Sequence, residues 1–110
     1  MAEPIYLVQG DTGPQIKATL TRDDTGAAED LSDVSTVKLH FRKKYTDTVL
    51  FSITGSVTNA SNGIVIFAFT GSQLDIDAGE YEGEIEVTFN SGSIETVYEV
   101  IDFALRNDFA

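Results

Sequence analysis

The chain has 110 residues, no cysteine, and 18 acidic against seven basic side chains, which give a net charge of −11. Its length suits one domain with a single hydrophobic core, so we predict that residues 1–110 form one domain. The lack of cysteine excludes disulfides and thiolate metal sites, and the negative charge disfavours nucleic acid as a partner. Because no signal-peptide pattern and no apolar run of about 20 residues occurs, we expect a soluble chain with no membrane partner.

Short apolar segments recur along the chain between clusters of Gly, Asn, Asp and Ser, and no window repeats with a helical period. This pattern is typical of an all-β sandwich or barrel. We predict about seven strands from the alternation of apolar and polar residues. They lie at residues 5–8, 15–22, 36–43, 49–57, 64–69, 79–89 and 93–106, and a bend is expected in the last.

The segment Gly79–Phe89 alternates almost strictly, which puts apolar side chains on one face of a strand and four glutamates on the other. At its start, Asp77, Gly79 and Tyr81 have a spacing that resembles the tyrosine corner of immunoglobulin-like sandwiches. In that corner the tyrosine hydroxyl bonds the backbone a few residues upstream. Gly83 stands where antibody domains have a cysteine. We therefore predict an antiparallel, immunoglobulin-like β-sandwich without the antibody-type core.

The strand at residues 36–43 should be the sheet neighbour of Gly79–Phe89, and their polar faces carry opposite charges. This predicts a cross-strand charge ladder that fixes the register of the two strands. Its members are Lys38, His40 and Arg42 on one strand and Glu82, Glu84 and Glu86 on the other. A tight hairpin at residues 90–93, with Phe89 opposite Ile94, would place Glu84 opposite Glu99.

No set of residues predicts catalysis or metal binding. The glutamates stand about 6.6 Å apart along an open strand, with nothing to desolvate them as a glycosidase or cation site would require. His40 lies on a polar strand face without a nucleophile motif. The Asp-Thr-Gly at residues 11–13 resembles that of aspartic proteases, but it occurs once and the chemistry needs two carboxylates. We expect a protein that is not an enzyme and takes no cofactor.

Four segments together carry a resemblance to a known family. They are residues 9–17 with Gly-Asp-Thr-Gly-Pro, residues 20–23, residues 37–43 ending in Phe-Arg-Lys, and Gly79–Phe89. These segments resemble the N-terminal domain of the phage baseplate upper protein family. The resemblance implies a virion protein, assembled in the host bacterial cytoplasm and present in several copies per particle. Its partners would be other phage structural proteins of the tail or baseplate.

Two alternatives stay open beside a tail or baseplate adaptor. The helical and sandwich modules that follow this domain in longer family members have no counterpart here, so the chain could instead decorate the phage head as a cement protein on the major capsid protein. A carbohydrate-binding or adhesion module is the second alternative. Such a site would need exposed aromatic residues on one face, whereas Tyr81, Tyr98 and most phenylalanines fall at core positions of their strands.

Two segments are candidates for docking on a partner protein. Residues 1–9 could form an N-terminal arm that adds a strand to a neighbour, and the basic loop after residue 42 could contact a charged surface. The candidate residues are Ile5, Tyr6 and Leu7 in the arm and Lys43, Lys44 and Tyr45 in the loop. Each segment has a second interpretation, the arm as the first core strand and the loop as a solvated turn.

Overall fold

A computed structural model of the chain describes residues 4–21, 26–70, 72–96 and 100–107. These residues form nine β-strands and no helix, so none of them belongs to a helix that could cross a membrane. The strands are β1 (Ile5–Val8), β2 (Gln15–Thr19), β3 (Val34–Lys43), β4 (Val49–Thr54), β5 (Ser56–Asn59), β6 (Ile64–Ala68), β7 (Gly79–Phe89), β8 (Ile94–Thr96) and β9 (Ile101–Arg106). Every predicted strand is present, and two of them are each divided in two.

The strands form two sheets. Sheet A has the order β1-β9-β7-β3-β4, with β8 also paired to β7, and sheet B has the order β2-β6-β5. The predicted all-β, immunoglobulin-like sandwich is confirmed. The predicted antiparallel arrangement holds for six of the seven strand pairs, and the seventh pair, β1 with β9, is parallel. No hairpin constrains these two strands, which come from opposite ends of the chain.

The core lies between the sheets and is built from the inward positions of the alternating strands. Phe41 is fully buried, and its ring stacks on those of Phe51 and Tyr81 with centroids 4.7 and 5.2 Å apart. Phe69 meets it edge-on at 5.8 Å. On β7, Tyr81, Ile85 and Val87 are buried, as its alternation predicts. Such offset and edge-on rings add to the stabilisation that burial alone provides.

The start of β7 has the tyrosine-corner hydrogen bond. The Tyr81 hydroxyl donates to the Asp77 carbonyl oxygen at 2.5 Å, and Gly79 between them has φ 154°, which disfavours a side chain. The Tyr81 side chain is buried, which raises the pKa of its hydroxyl, and the Asp77 carboxylate adds to the rise. This is the contact that the spacing of Asp77, Gly79 and Tyr81 predicts.

The predicted single strand at residues 49–57 is wrong, because the chain crosses from sheet A to sheet B at Gly55. The Gly55 N–H donates to the Val37 carbonyl at 2.7 Å, which closes β4 against β3. A Cβ on Gly55 would lie 2.5 Å from Cγ1 of Val65 and 2.7 Å from Cε1 of Phe67. Only glycine fits this close approach of the crossing chain to β6.

The predicted hairpin register is wrong by one residue. The Phe89 N–H donates to the Ser93 carbonyl at 2.9 Å, and Thr88 rather than Phe89 lies opposite Ile94. Gly92 has φ 94°, so the loop contains three residues and closes with a glycine in the left-handed region. The predicted pairing of Glu84 with Glu99 involves residue 99, which lies outside the described residues.

Candidate protein-docking surface

The outer face of sheet A carries the charge ladder. Across β3 and β7 the register pairs the basic residues with the glutamates as predicted: Lys38 with Glu86, His40 with Glu84, and Arg42 with Glu82. Arg42 Nε donates to Glu82 Oε1 at 2.7 Å, whereas the His40 ring reaches diagonally to Glu86, with 3.6 Å between Nε2 and Oε1. These contacts lie within one face of one sheet and connect neighbouring strands.

The basic loop is tied to the same face. Glu82 lies opposite Asp102 of β9, a like-charged pair, and Lys44 reaches Asp102 with 3.5 Å between Nζ and Oδ1. The Asp102 carboxylate raises the pKa of Lys44. Lys44 therefore connects the end of β3 to β9. Its role in docking stays a prediction.

At the tip of this loop the structure displays Tyr45. Its side chain is 87% exposed and its backbone has φ 67°, a left-handed conformation that is uncommon outside glycine. The Thr46 N–H and hydroxyl both donate to the Lys43 carbonyl, at 3.2 and 2.6 Å, which closes the turn beneath the tyrosine. Lys44 Nζ lies 5.7 Å from the Tyr45 ring centroid. The turn therefore holds an aromatic side chain in solvent, with exposed Lys43 beside it.

The N-terminal segment is an edge strand and not a free arm, as far as the described residues reach. Ile5–Val8 pair with residues 103–106 of β9, and Leu7 is 5% exposed within the core. Leu7 and half-buried Ile5 are therefore unavailable for docking, and their proposed role is wrong because alternation directs them inward. Tyr6 points the opposite way and is 73% exposed. Residues 1–3 lie outside the described part of the chain.

The two candidate segments meet in one row across sheet A. Tyr6 pairs with Ala104, Ala104 with Glu80, and the Lys44 N–H donates to the Glu80 carbonyl at 3.1 Å. Tyr6 and Lys44 are thus three strand spacings apart, about 14 Å. We call this end of the outer face the tyrosine surface. It comprises Tyr6, Lys44, Tyr45, Glu80, Ala104 and Arg106.

A groove runs along the β1 side of the tyrosine surface. It has a volume of about 510 Å³ and is lined mainly by apolar atoms of β1 and β9. Ala104 is small, so a partner could approach the sheet backbone between the larger Tyr6 and Arg106 side chains. In the described part of the chain, no three His, Asp or Glu side chains cluster as metal ligands would. This surface offers rings, hydroxyls and a groove, which suit recognition of another protein.

The sequence interpretation missed the second edge of sheet A. On β4, Val49 and Leu50 are 49% and 47% exposed, and the strand Val-Leu-Phe-Ser-Ile-Thr contains no charged residue. That uncharged run was the available signal. It indicates an edge strand without the lysine or proline that commonly protects such edges.

Similarity to one solved structure, CopC, supports the fold. No protein-family model and no curated protein sequence matches the chain. Among solved structures, CopC from Methylosinus trichosporium OB3b superposes with a TM-score of 0.56 at 7% identity, over 99% of this chain and 89% of that one. Murine CRIg gives a TM-score of 0.41 at 16% identity, over 94% and 93% of the two chains. The PKD domain from the KIAA 1837 protein gives 0.34 at 9% identity, over 99% and 85%.

Proposed function

We propose that this chain is a non-enzymatic structural subunit of a bacteriophage particle, which docks on a tail or baseplate protein through the tyrosine surface. One observation carries the docking role: the fold brings exposed Tyr6 and exposed Tyr45 to the same end of sheet A. The phage setting is supported by the resemblance of residues 9–17, 20–23, 37–43 and 79–89 to the baseplate family.

The composition of the tyrosine surface is that of a protein interface. Tyrosine and arginine are among the side chains that most often dominate binding energy at protein interfaces. Tyrosine buries a large area with only two side-chain torsions to fix. Tyr6 and Arg106 flank the groove on β1 and β9, and Tyr45 stands beyond Lys44 at the other end of the row. A partner that covers the row would bury both tyrosines at once.

The surface is also held in place before binding. Lys44 connects the base of the loop to Asp102, and the Lys43 carbonyl accepts two hydrogen bonds from Thr46. Tyr6 belongs to a strand that is paired along its length with β9. Because the backbone beneath both tyrosines is already ordered, docking would cost less conformational entropy than the folding of a free arm.

Particle incorporation of substituted chains tests this proposal. Tyr6→Ala and Tyr45→Ala should each weaken docking about tenfold or more, as 1.4 kcal/mol per anchor implies. The double variant should be missing from particles purified after complementation. Ile94→Ala is the matched control, since Ile94 is 61% exposed on the same face of sheet A but pairs with Thr88 at the opposite end. Normal incorporation of the double variant would contradict the proposal.

A carbohydrate-binding module is the second candidate function, because Tyr6 and Tyr45 are exposed aromatic side chains at one end of sheet A. Sugar rings stack on such side chains. Titration of the purified chain with cell-wall polysaccharide of the host, followed by tyrosine fluorescence, separates the two functions. Virion docking predicts no saturable change. A saturable change that both tyrosine-to-alanine variants remove would favour carbohydrate binding.

A further inference from the structure

Two edge strands of sheet A, β1 and β4, lack the charged residues and prolines that usually discourage strand pairing. In the described part of the chain they end the row of paired strands, and the short strand β8, which carries Glu95, pairs with β7 alone. The sequences of β1 and β4, Ile-Tyr-Leu-Val and Val-Leu-Phe-Ser-Ile-Thr, contain no charged residue, proline or glycine. Natural proteins usually place lysine, proline or a bulge on such edges. Strand β4 has one bulge, at Leu50, because Phe41 pairs with Phe51 and Arg42 with Val49, and residues 51–54 stay in regular register.

The hydrogen bonds show which backbone groups point away from the sheet. The Gly55 N–H donates to Val37, so by alternation residues 51 and 53 face β3 and Ser52 and Thr54 face outward. On the other edge, the Gln9 N–H donates to the Arg106 carbonyl at 2.9 Å. By the same alternation, Tyr6 and Val8 direct their backbone groups away from β9. On β4, Ser52 and Thr54 therefore present both backbone groups for pairing. On β1, Tyr6 presents both groups, whereas Val8 presents its N–H, because its carbonyl accepts the Asp11 N–H at 3.2 Å.

We propose that copies of this chain associate head to tail, with β4 of one copy paired antiparallel to β1 of the next, so that sheet A continues from copy to copy. The strand directions permit this geometry. Because β3, β7 and β9 alternate in direction and β1 is parallel to β9, β1 runs opposite to β4. A second copy in the same orientation beside β4 presents β1 antiparallel to it.

The faces of the two edges also match. A register that pairs Ser52 with Val8 and Thr54 with Tyr6 places Ile53 beside Leu7 of the next copy. Ile53 and Leu7 are 6% and 5% exposed, and both point into their own cores. The cores of the two copies would therefore lie on the same side of the continuous sheet. Thr54 and Tyr6 would meet on the outer face.

Charge favours this geometry over a two-fold pairing of β4 with β4. Strand β3 carries Lys38, Arg42 and Lys43 next to the β4 edge, and β7 carries four glutamates nearer the β1 edge. In head-to-tail association the basic strand β3 of one copy lies on the side of the glutamate-bearing strand β7 of the next. A two-fold pairing would place the two β3 strands about 14 Å apart with like charge. The Debye length of about 8 Å at physiological salt screens much of this repulsion, so charge adds a small preference for the head-to-tail geometry that should weaken as salt is added.

Proline variants of the full chain test the proposal in solution. Val8→Pro and Ser52→Pro each remove an N–H that points outward, so neither should break a ladder bond within the chain. Sedimentation velocity from micromolar to millimolar concentration should show oligomers of the wild type and monomers of each proline variant. An equimolar mixture of the two variants should form a one-to-one dimer, because one open β4 and one open β1 remain.

Alanine and lysine variants at the same two positions serve as controls. Val8→Ala and Ser52→Ala keep the N–H and should associate like the wild type. Val8→Lys and Ser52→Lys repeat the test should a proline variant lose its circular dichroism spectrum. A monomeric wild type at millimolar concentration would overturn the proposal, and so would a Val8→Pro variant that dimerises alone, which indicates two-fold β4 pairing. The result does not depend on the proposed function, because only the purified chain is used.

Discussion

Gly83 stands two residues after the corner tyrosine, and the packing around it allows a quantitative prediction for Gly83→Ala. An added Cβ would lie 2.7 Å from Cδ1 of Leu39 and 3.0 Å from Cε2 of Phe103. Those side chains are 0% and 1% exposed, so neither can move aside into solvent. Overpacking of this kind costs about 1–3 kcal/mol of unfolding free energy. For a domain of this size we expect a fall in Tm of about 4–13 °C.

Urea and thermal unfolding, followed by circular dichroism, measure this effect against a matched control. Gly13→Ala adds the same methyl where nothing lies within 4 Å, and should leave stability unchanged or raise it by up to about 1 kcal/mol. Leu39→Ala removes the closest contact, so its loss and that of Gly83→Ala should combine less than additively, by about 0.5–3 kcal/mol. Wild-type stability of Gly83→Ala, or strict additivity, would refute this account of the core.

Three further predictions concern stability. Tyr81→Phe should lower the free energy of unfolding by about 1 kcal/mol. Because burial raises the pKa of Tyr81 in the folded state above its ordinary 10.0, the wild type should lose stability as the pH rises past that value, and it should lose more than the variant. Urea unfolding at successive alkaline pH values measures both effects. Arg42 and Glu82 should couple by about 0.2–1 kcal/mol in a double-mutant cycle, and less in concentrated salt. Gly55→Ala should destabilise by at least about 1–3 kcal/mol in thermal unfolding, and unchanged stability would contradict the crossing.

Local patterns predicted the strands because each face of a strand has one environment. The alternation in Gly79–Phe89 gave the bounds of β7, since core and solvent lie on opposite sides along its whole length. The opposite charges of Lys38, Arg42, Glu82 and Glu86 predicted the pairing of β3 with β7. Both features depend on contacts between neighbouring strands of one sheet, and the opposite charges of such neighbours can be seen in the sequence.

Features that depend on distant parts of the chain were not predictable in the same way. The alternation continues from β4 into β5, and Gly55 is the one local sign of a break there. That the chain crosses to the other sheet at this glycine is explained by the proximity of Val65 and Phe67. The parallel pairing of β1 with β9 joins the two ends of the chain. For that reason the row that connects Tyr6 to Lys44 could not be derived from either segment alone.

The location of the protein in purified particles tests the central claim most directly. Particles would be separated from lysate by density gradient, their peptides quantified by mass spectrometry, and the chain located with gold-labelled antibody. We predict a fixed stoichiometry of about a dozen copies or fewer per ring, as closed rotational symmetry of a tail assembly would give, with label at the tail or baseplate. Hundreds of copies on the head would support the cement function instead. Absence of the chain from particles would contradict a virion role altogether.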